Sequence, residues 1–598
     1  MVKKKQVFWS VLTVTVLLCV TFASATATQQ KAIAATQNSI ISYSVFSSSF
    51  ASIRQPAEFE PMQGALIRYS SSDGFGISYE IIAEMAEDVN VVTIVANVSE
   101  KNTVQSQYQS HGIDLNHCSY LIAPSNSWWT RDYGPWFIFN ENNQQGVVDF
   151  TYNRQSRPKD DLIPAKYASN QSLPLYNMSL VTAGGNYMTD GQGIAISTSL
   201  VWEENPGLSH AAINQMVHDY LGIQTYHVVP DVNGEYIKHI DCWGKLLSHD
   251  TILIRSVPPS DSQYDEIEAA VHYFENQTSC YGTPYHVVRV YTPNKQPYTN
   301  SFILNNKVFV PIMGDQWDGD AIASYQSAMP GYEVLGFSGS WASSDAIHCR
   351  IMGITDRYML YIEHIPLTGN QSSQYGYDIQ AEIYPYSGEN LIAASTGVYW
   401  RIENQSWNFI QMQPLGNDYY HAVIPAQENG TTVSYYIHAE DASGRSENHP
   451  YIGAPDAHSF TAYGDIETNS PPEKPQRPSG KASGKIGMTY LYSTETSDAD
   501  GDQVYYLWDW GDGNFSEWLG PFASGTTTTV QHSWTAKGTY SIRVKAKDVQ
   551  GDESNWSDLL SVTMPRNQII MLFVFENMER WLPRLFIFLN EIFNRVGM

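Results

Sequence analysis

Three short stretches carry side chains that could do chemistry together. Cys349 stands in Asp345-Ala-Ile-His-Cys-Arg350. A cysteine acts as a nucleophile only as the thiolate, which a nearby imidazolium or a cationic substrate stabilises. In its plainer role it is a small buried hydrophobe. His239 and Asp241 are one residue apart, and the preceding Gly234-Glu-Tyr-Ile-Lys238 predicts that they end a strand. Residues i and i+2 of a strand share a face, so imidazole and carboxylate would enter one pocket while Ile240 points into the core. A His-x-Asp pair serves equally at a surface or as metal ligands. The same alternation would turn His348 away from Cys349, which leaves His239 as the preferred acid/base partner. Asp132, in Trp129-Thr-Arg-Asp-Tyr-Gly-Pro135, is a carboxylate wrapped in aromatics and costly to bury unless it meets a cation. Arg131 would supply that cation internally. A guanidinium ligand is the alternative, because its planar fork of donors fits carboxylates bidentately. Asp132 and Asp241 would then hold opposite edges of it.

The elements that must position these residues follow from hydrophobic period. Val91-Val-Thr-Ile-Val95, Val287-Val-Arg-Val-Tyr291, Ser301-Phe-Ile-Leu304 and Val308-Phe-Val310 read as strands. Helical patterns near 77–87 and 211–221 alternate with them, which predicts an α/β domain over residues 45–367. From 368 to 465 the period changes to two. Val398-Tyr-Trp-Arg-Ile402, Tyr419-Tyr-His-Ala-Val-Ile424 and Val433-Ser-Tyr-Tyr-Ile437 predict an antiparallel sandwich. A Pro-rich linker covers 466–478, and a second β module follows at 479–565. Its Trp508-Asp-Trp-Gly-Asp-Gly513, His532-Ser-Trp534 and Gly538-Thr-Tyr540, in that order, resemble the PKD domain, an immunoglobulin-like sandwich. Asp498, Asp500 and Asp502 carry oxygen ligands suited to calcium, but a polar turn explains them as well.

Composition narrows the class. With 598 residues and 42% hydrophobic content the chain is a multidomain globular protein. Its formal net charge of -27 repels nucleic acid and favours cationic ligands, and serves equally as a solubility charge, so it decides nothing alone. Residues 1–27 read as a secretory signal: Lys3-Lys-Lys5, an apolar run to Phe22, and a small-residue cleavage site at Ala23-Ser-Ala25. That predicts a secreted or cell-surface location. Cys19 would leave with the signal, and four cysteines in so long a chain are no disulfide framework. The tail, 566–598, is apolar but broken by charges; one helical face of it suits a membrane interface, the cell surface or another protein.

Taken in order, Trp-Thr-Arg-Asp-Tyr-Gly-Pro, Gly184-Gly-Asn, His239-x-Asp-x-Trp-Gly-Lys, Asn300-Ser and His348-Cys-Arg resemble the Porphyromonas-type peptidylarginine deiminases, which belong with the agmatine deiminases in the guanidino-group-modifying superfamily. The resemblance implies a five-bladed α/β propeller (pentein) followed by two all-β immunoglobulin-like sandwiches. It implies Cys349 as nucleophile, His239 as general acid/base, Asp132 and Asp241 as guanidinium ligands, Asn300 completing the site and Trp129 as its aromatic wall. In the family two arginines one residue apart bind the carboxylate of a C-terminal arginine. Here Arg154 matches the first and the second is displaced to Arg157, while Tyr236 matches a substrate-side tyrosine. The implied partners are arginine-containing peptides or proteins, and the implied chemistry needs neither metal nor other cofactor. Two further readings remain: a small-molecule guanidine hydrolase of the agmatine type, for which Arg154 and Arg157 would be incidental, and a non-catalytic adhesin.

Overall fold

The computed structural model describes residues 53–234, 237–372, 375–403, 405–464 and 469–564. The signal-like segment, Tyr236 and the C-terminal tail therefore lie outside the described residues. The chain forms two compact units, 1–464 and 465–598.

The α/β part of the first unit repeats one motif five times. In each repeat a strand pairs antiparallel with the next strand, a helix crosses over, and a parallel strand follows. The second repeat shows it plainly: Trp136–Phe139 against Gln145–Tyr152, helix Ile163–Gln171, then Leu175–Thr182 in parallel. The same order recurs from Met188–Thr189, from Gly244–Leu246 and from Phe302–Leu304. In the first sheet the antiparallel partner of Met62–Arg68 comes from the far end of the part, Met352–Thr355, which ties its two ends together. The sheets are separate and open; among the described residues no closed sheet forms.

Packing explains the helices. Tyr264–Glu275 buries Ile267, Ala270, Val271 and Phe274, one face at helical spacing, against Ile252, Ile254 and Val290. Helix His210–Leu221 starts at Ser209, whose hydroxyl accepts from the Ala212 N–H (3.2 Å), and ends on Gly222 at φ 73°. A side chain at Gly222 would collide with the Ile53 carbonyl, so only glycine fits that left-handed stop. The strands and helices expected from hydrophobic period are found within three residues of their expected bounds.

The β-sandwich of the same unit starts earlier than residue 368. Strand Leu360–Glu363 already pairs with Tyr377–Pro385, because its Leu360 and Ile362 fill the sandwich core with Ile379, Ile383 and Val398. Thr432–Glu440 alternates between buried and outward residues along its whole length. In the second unit, two sheets enclose Trp508, Trp510 and Trp534. The Trp510 ring stacks on His532 (4.3 Å between centroids), and His532 Nε2 donates to Asp512 (3.0 Å), which explains why the Trp-Gly-Asp turn and the His-Ser-Trp segment occur together. Asp498 accepts backbone N–H groups from Asp500 and Asp502, a turn role for that acidic run.

Candidate active site

Apart from Arg154 and Arg157, which follow strand Gln145–Tyr152, the candidate residues that the described structure brings together come from the short segment before the first strand of a repeat. Asp132 lies in the helical turn Thr130–Tyr133, ahead of Trp136. Gly185 lies in the 3₁₀ turn Gly184–Asn186, ahead of Met188. His239 and Asp241 open the 3₁₀ turn Ile240–Cys242 before Gly244. Asn300 precedes Phe302, and Cys349 sits in the turn Ile347–Arg350 before Met352. These turns pack against one another, so five distant segments meet at one place.

Two expectations about this local structure are corrected. His239 and Asp241 do not end a strand: Cys242 and Trp243 donate back to the carbonyls of His239 and Ile240 (3.2 and 3.0 Å) and close a 3₁₀ turn. Ile240 still points into the core. Cys349 is on a helical turn too, so His348 is not turned away from the site. Its Nδ1 donates to Asp241 Oδ2 (2.7 Å) and its Nε2 to Glu58 Oε2 (2.8 Å).

Asn300 is the clasp of the cysteine turn. Its Oδ1 accepts the N–H groups of Ala346 (3.1 Å) and Cys349 (3.3 Å), and its Nδ2 donates to the Cys349 sulfur (3.3 Å). The thiol also faces Asp241 Oδ2 at 3.7 Å. Burial, then the charges of Asp241, Asp132 and Asp345, push the Cys349 thiol well above its ordinary value. With these neighbours alone it holds its proton.

The two carboxylates are in opposite states. Burial, with Asp241 next, pushes Asp132 up to about 8. Burial would raise Asp241 as well, but the hydrogen bond and charge of His348 overcome it and hold that carboxyl below its ordinary range. Arg131 does not neutralise Asp132; its guanidinium is engaged by Glu58 (2.5 Å). His239 is buried, and burial pushes its imidazole down to about 4, leaving it neutral near pH 7.

Polar atoms are left unsatisfied here and they converge. Asp132 Oδ1 and both ring nitrogens of His239 are buried without a hydrogen-bond partner. His239 Nδ1 is 3.5 Å from Asp132 Oδ1, which is close enough for electrostatic attraction but too long for a good hydrogen bond. A methyl group on Gly185 would lie 2.7 Å from His239 Nδ1, 2.8 Å from Asp132 Oδ1 and 3.0 Å from Asp241 Oδ2. The bare glycine thus keeps open a space that three polar atoms line. Buried orphan polar atoms cost about 1–3 kcal/mol each and call for a partner. A planar cation with several N–H donors would satisfy Asp132 Oδ1 and the unprotonated ring nitrogen of His239.

At the rim, Arg157 lies over the Trp129 ring (4.1 Å) and donates to the Tyr152 hydroxyl (3.1 Å). Arg154 is close enough to act on the charges of both Asp132 and His239. Glu58, Lys245 and Gly185 were not singled out individually from sequence, and His348 was expected to face away. Among the described residues Cys118, Cys242, Cys280 and Cys349 are all unpaired, and no group of three or more His, Cys, Asp or Glu side chains is arranged to hold a metal ion.

Comparison with known proteins places the chain in a family. The family model of the Porphyromonas-type peptidyl-arginine deiminases matches residues 54–352, and a PKD domain model matches 474–564. An agmatine deiminase from Medicago truncatula is 23% identical over 367 residues, covering 50% of this chain and 96% of its own length. Among solved structures, an agmatine deiminase of Enterococcus faecalis is 21% identical with a TM-score of 0.45, covering 51% of this chain and 96% of that one. The PKD domain of an M14-like peptidase from a Thermoplasmatales archaeon is 46% identical with a TM-score of 0.16, covering 17% of this chain and all of its own.

Proposed function

Because the chain belongs to the Porphyromonas-type peptidyl-arginine deiminase family, whose members are guanidino-group hydrolases, we propose that it converts peptide arginine to citrulline and ammonia, with Cys349 as nucleophile. The observation that carries this reading is the convergence of unpaired Asp132 and His239 atoms, ionised Asp241 and Gly185 beside the Cys349 thiol. We read the five repeated sheets as the blades of a propeller. Its support is the strand order shared by four of the sheets and the pairing of Met352–Thr355 with Met62–Arg68, which brings the end of this part beside its first sheet.

The mechanism follows from the charges. A guanidinium lies between Asp132 and Asp241, and its positive charge draws the Asp132 carboxyl into the ionised form. The same cation lowers the cost of the Cys349 thiolate, so substrate itself activates the nucleophile. His239 accepts the thiol proton as sulfur bonds to the guanidinium carbon. It then gives that proton to a departing nitrogen; the C–N bond breaks and ammonia leaves. Water adds to the amidino-thioether carbon, His239 takes a proton from it, and the C–S bond breaks as His239 returns that proton to the sulfur. The product is a ureido group, the thiol is restored, and the positive charge leaves as ammonium. Asn300 holds Cys349 in place throughout.

Binding should therefore release a proton. At pH 7 the enthalpy of binding an arginine-terminated peptide to Cys349→Ala should vary with buffer ionisation enthalpy, reporting up to about one proton released. Asp132→Asn on that background should abolish the dependence. Release that persists in the double variant would remove Asp132 from the account.

For substrate preference, Arg157 over Trp129 and Arg154 near Asp132 suit a terminal carboxylate. The agmatine reading retains support from the named relatives, and secretion and surface attachment remain proposals from the sequence. Three matched substrates decide: a peptide ending in arginine, the same peptide with arginine internal, and agmatine. The clamp predicts that the first exceeds the second by at least about tenfold in kcat/KM, as loss of a charged hydrogen bond implies. Turnover of agmatine alone would move the protein to the small-molecule class.

A further inference from the structure

We infer that His348, held as an imidazolium between Asp241 and Glu58, is a positioning residue that decides which of the two site carboxylates carries the negative charge. This deepens the deiminase reading and rests on it.

An ionised carboxylate only accepts. His348 is within 2.7 Å of Asp241 Oδ2 through Nδ1 and within 2.8 Å of Glu58 Oε2 through Nε2. Both ring nitrogens must donate, so the ring carries both protons. Glu58 is ionised in turn: burial opposes its charge, but Lys245, Arg131 and His348 together hold it well below the ordinary carboxylate range. Lys245 Nζ donates to Oε1 (2.6 Å), Arg131 Nη2 to Oε2 (2.5 Å), and the Ile303 N–H also donates to Oε1 (3.0 Å). Glu58 is thus fixed from three later repeats and cannot turn away from the ring.

The site geometry shows what this does. Asp241 and Asp132 line the same space at Gly185. Two carboxylates so close resist joint ionisation, and one must yield its charge. The groups facing Asp241 are His348, His239, Asp132, Cys349, Cys242 and Lys245. His348 is the one of these that both hydrogen-bonds the Asp241 carboxylate and carries a positive charge. Asp241 therefore stays charged and aimed at the incoming cation, Asp132 ionises only when that cation arrives, and Cys349 keeps its proton until then.

The test compares wild type with His348→Gln on an arginine-terminated peptide across pH 5 to 9, with unfolding midpoints alongside. His348→Gln keeps a polar side chain but loses the charge. Asp241 then gains a proton more readily, so the acid limb of kcat/KM should move up by about one pH unit or more. KM should rise most on the acid side, and the loss should shrink as pH rises. Glu58→Gln, which lets the ring lose a proton, should move the limb the same way by less, and serves if His348→Gln does not fold. An acid limb that stays in place, with a loss uniform in pH, would overturn the inference and leave His348 a packing residue. Wild type that turns over no guanidinium substrate would overturn the deiminase reading, and this inference with it.

Discussion

Cys349→Ala is expected to lower turnover of an arginine-terminated peptide by on the order of 10⁴-fold or more while leaving the fold intact. The size follows from the role: without sulfur no covalent intermediate forms, and carboxylates that bind a cation do not by themselves hydrolyse it. The intact fold follows from how the turn is held. Asn300 accepts backbone N–H groups of Ala346 and Cys349, which the substitution keeps; only its contact to sulfur is lost. Removing one buried sulfur costs on the order of 1 kcal/mol. Cys349→Ser should be nearly as inactive, because a hydroxyl ionises far less readily than a thiol and the carboxylates around it oppose the anion. Citrulline formation and thermal unfolding, measured on the same samples, check both halves. Activity within tenfold of wild type would remove Cys349 from the chemistry.

Gly185→Ala is the second large effect. The added methyl would meet the His239, Asp132 and Asp241 side chains at 3.0 Å or less, tighter than real contacts allow. Each must shift, and displacement of reacting groups by about 1 Å costs roughly 10²-fold. Since the methyl also occupies the space the guanidinium needs, we expect a loss of about 10²- to 10⁴-fold in kcat/KM, carried largely by binding. Stability should change far less, since overpacking one methyl costs roughly 1–3 kcal/mol. Calorimetric binding of the same peptide measures the effect directly. Near-normal affinity would mean that the substrate lies elsewhere.

How far the sequence leads depends on the length of the element concerned. Strand Asn90–Val95 and helix His210–Leu221 are long enough for their period to show, and both stand close to where hydrophobic spacing puts them. The turns that carry the site are three or four residues long and have no period to read. His239 and Asp241 were expected at a strand end for that reason. They converge anyway, because the turn lies directly ahead of the strand Gly244–Leu246. The same strand assumption misjudged His348, whose helical turn brings it to Asp241.

Glu58 shows a different limit. It lies 290 positions from His348, and no local pattern reveals such a contact. Gly185 left a trace, since two adjacent glycines mark a close approach of backbone to something else, but not what approaches. Arg131 could be paired on paper with its neighbour Asp132, yet adjacent side chains on a turn diverge, and its guanidinium meets Glu58.

The most direct measurement is the rate at which two small alkylating agents modify the protein at pH 7. One is a haloacetamidine, which presents a planar cation like a guanidinium, and the other its neutral isostere, a haloacetamide. Burial and carboxylates keep the Cys349 thiol protonated, and only a cation between Asp132 and Asp241 relieves that. The amidine should inactivate at least about 10²-fold faster, in line with a ~3 kcal/mol advantage for the paired cation, excess substrate should protect, and peptide mapping should find the label on Cys349. Equal rates for the two reagents, or a label on Cys118, Cys242 or Cys280, would contradict this mechanism.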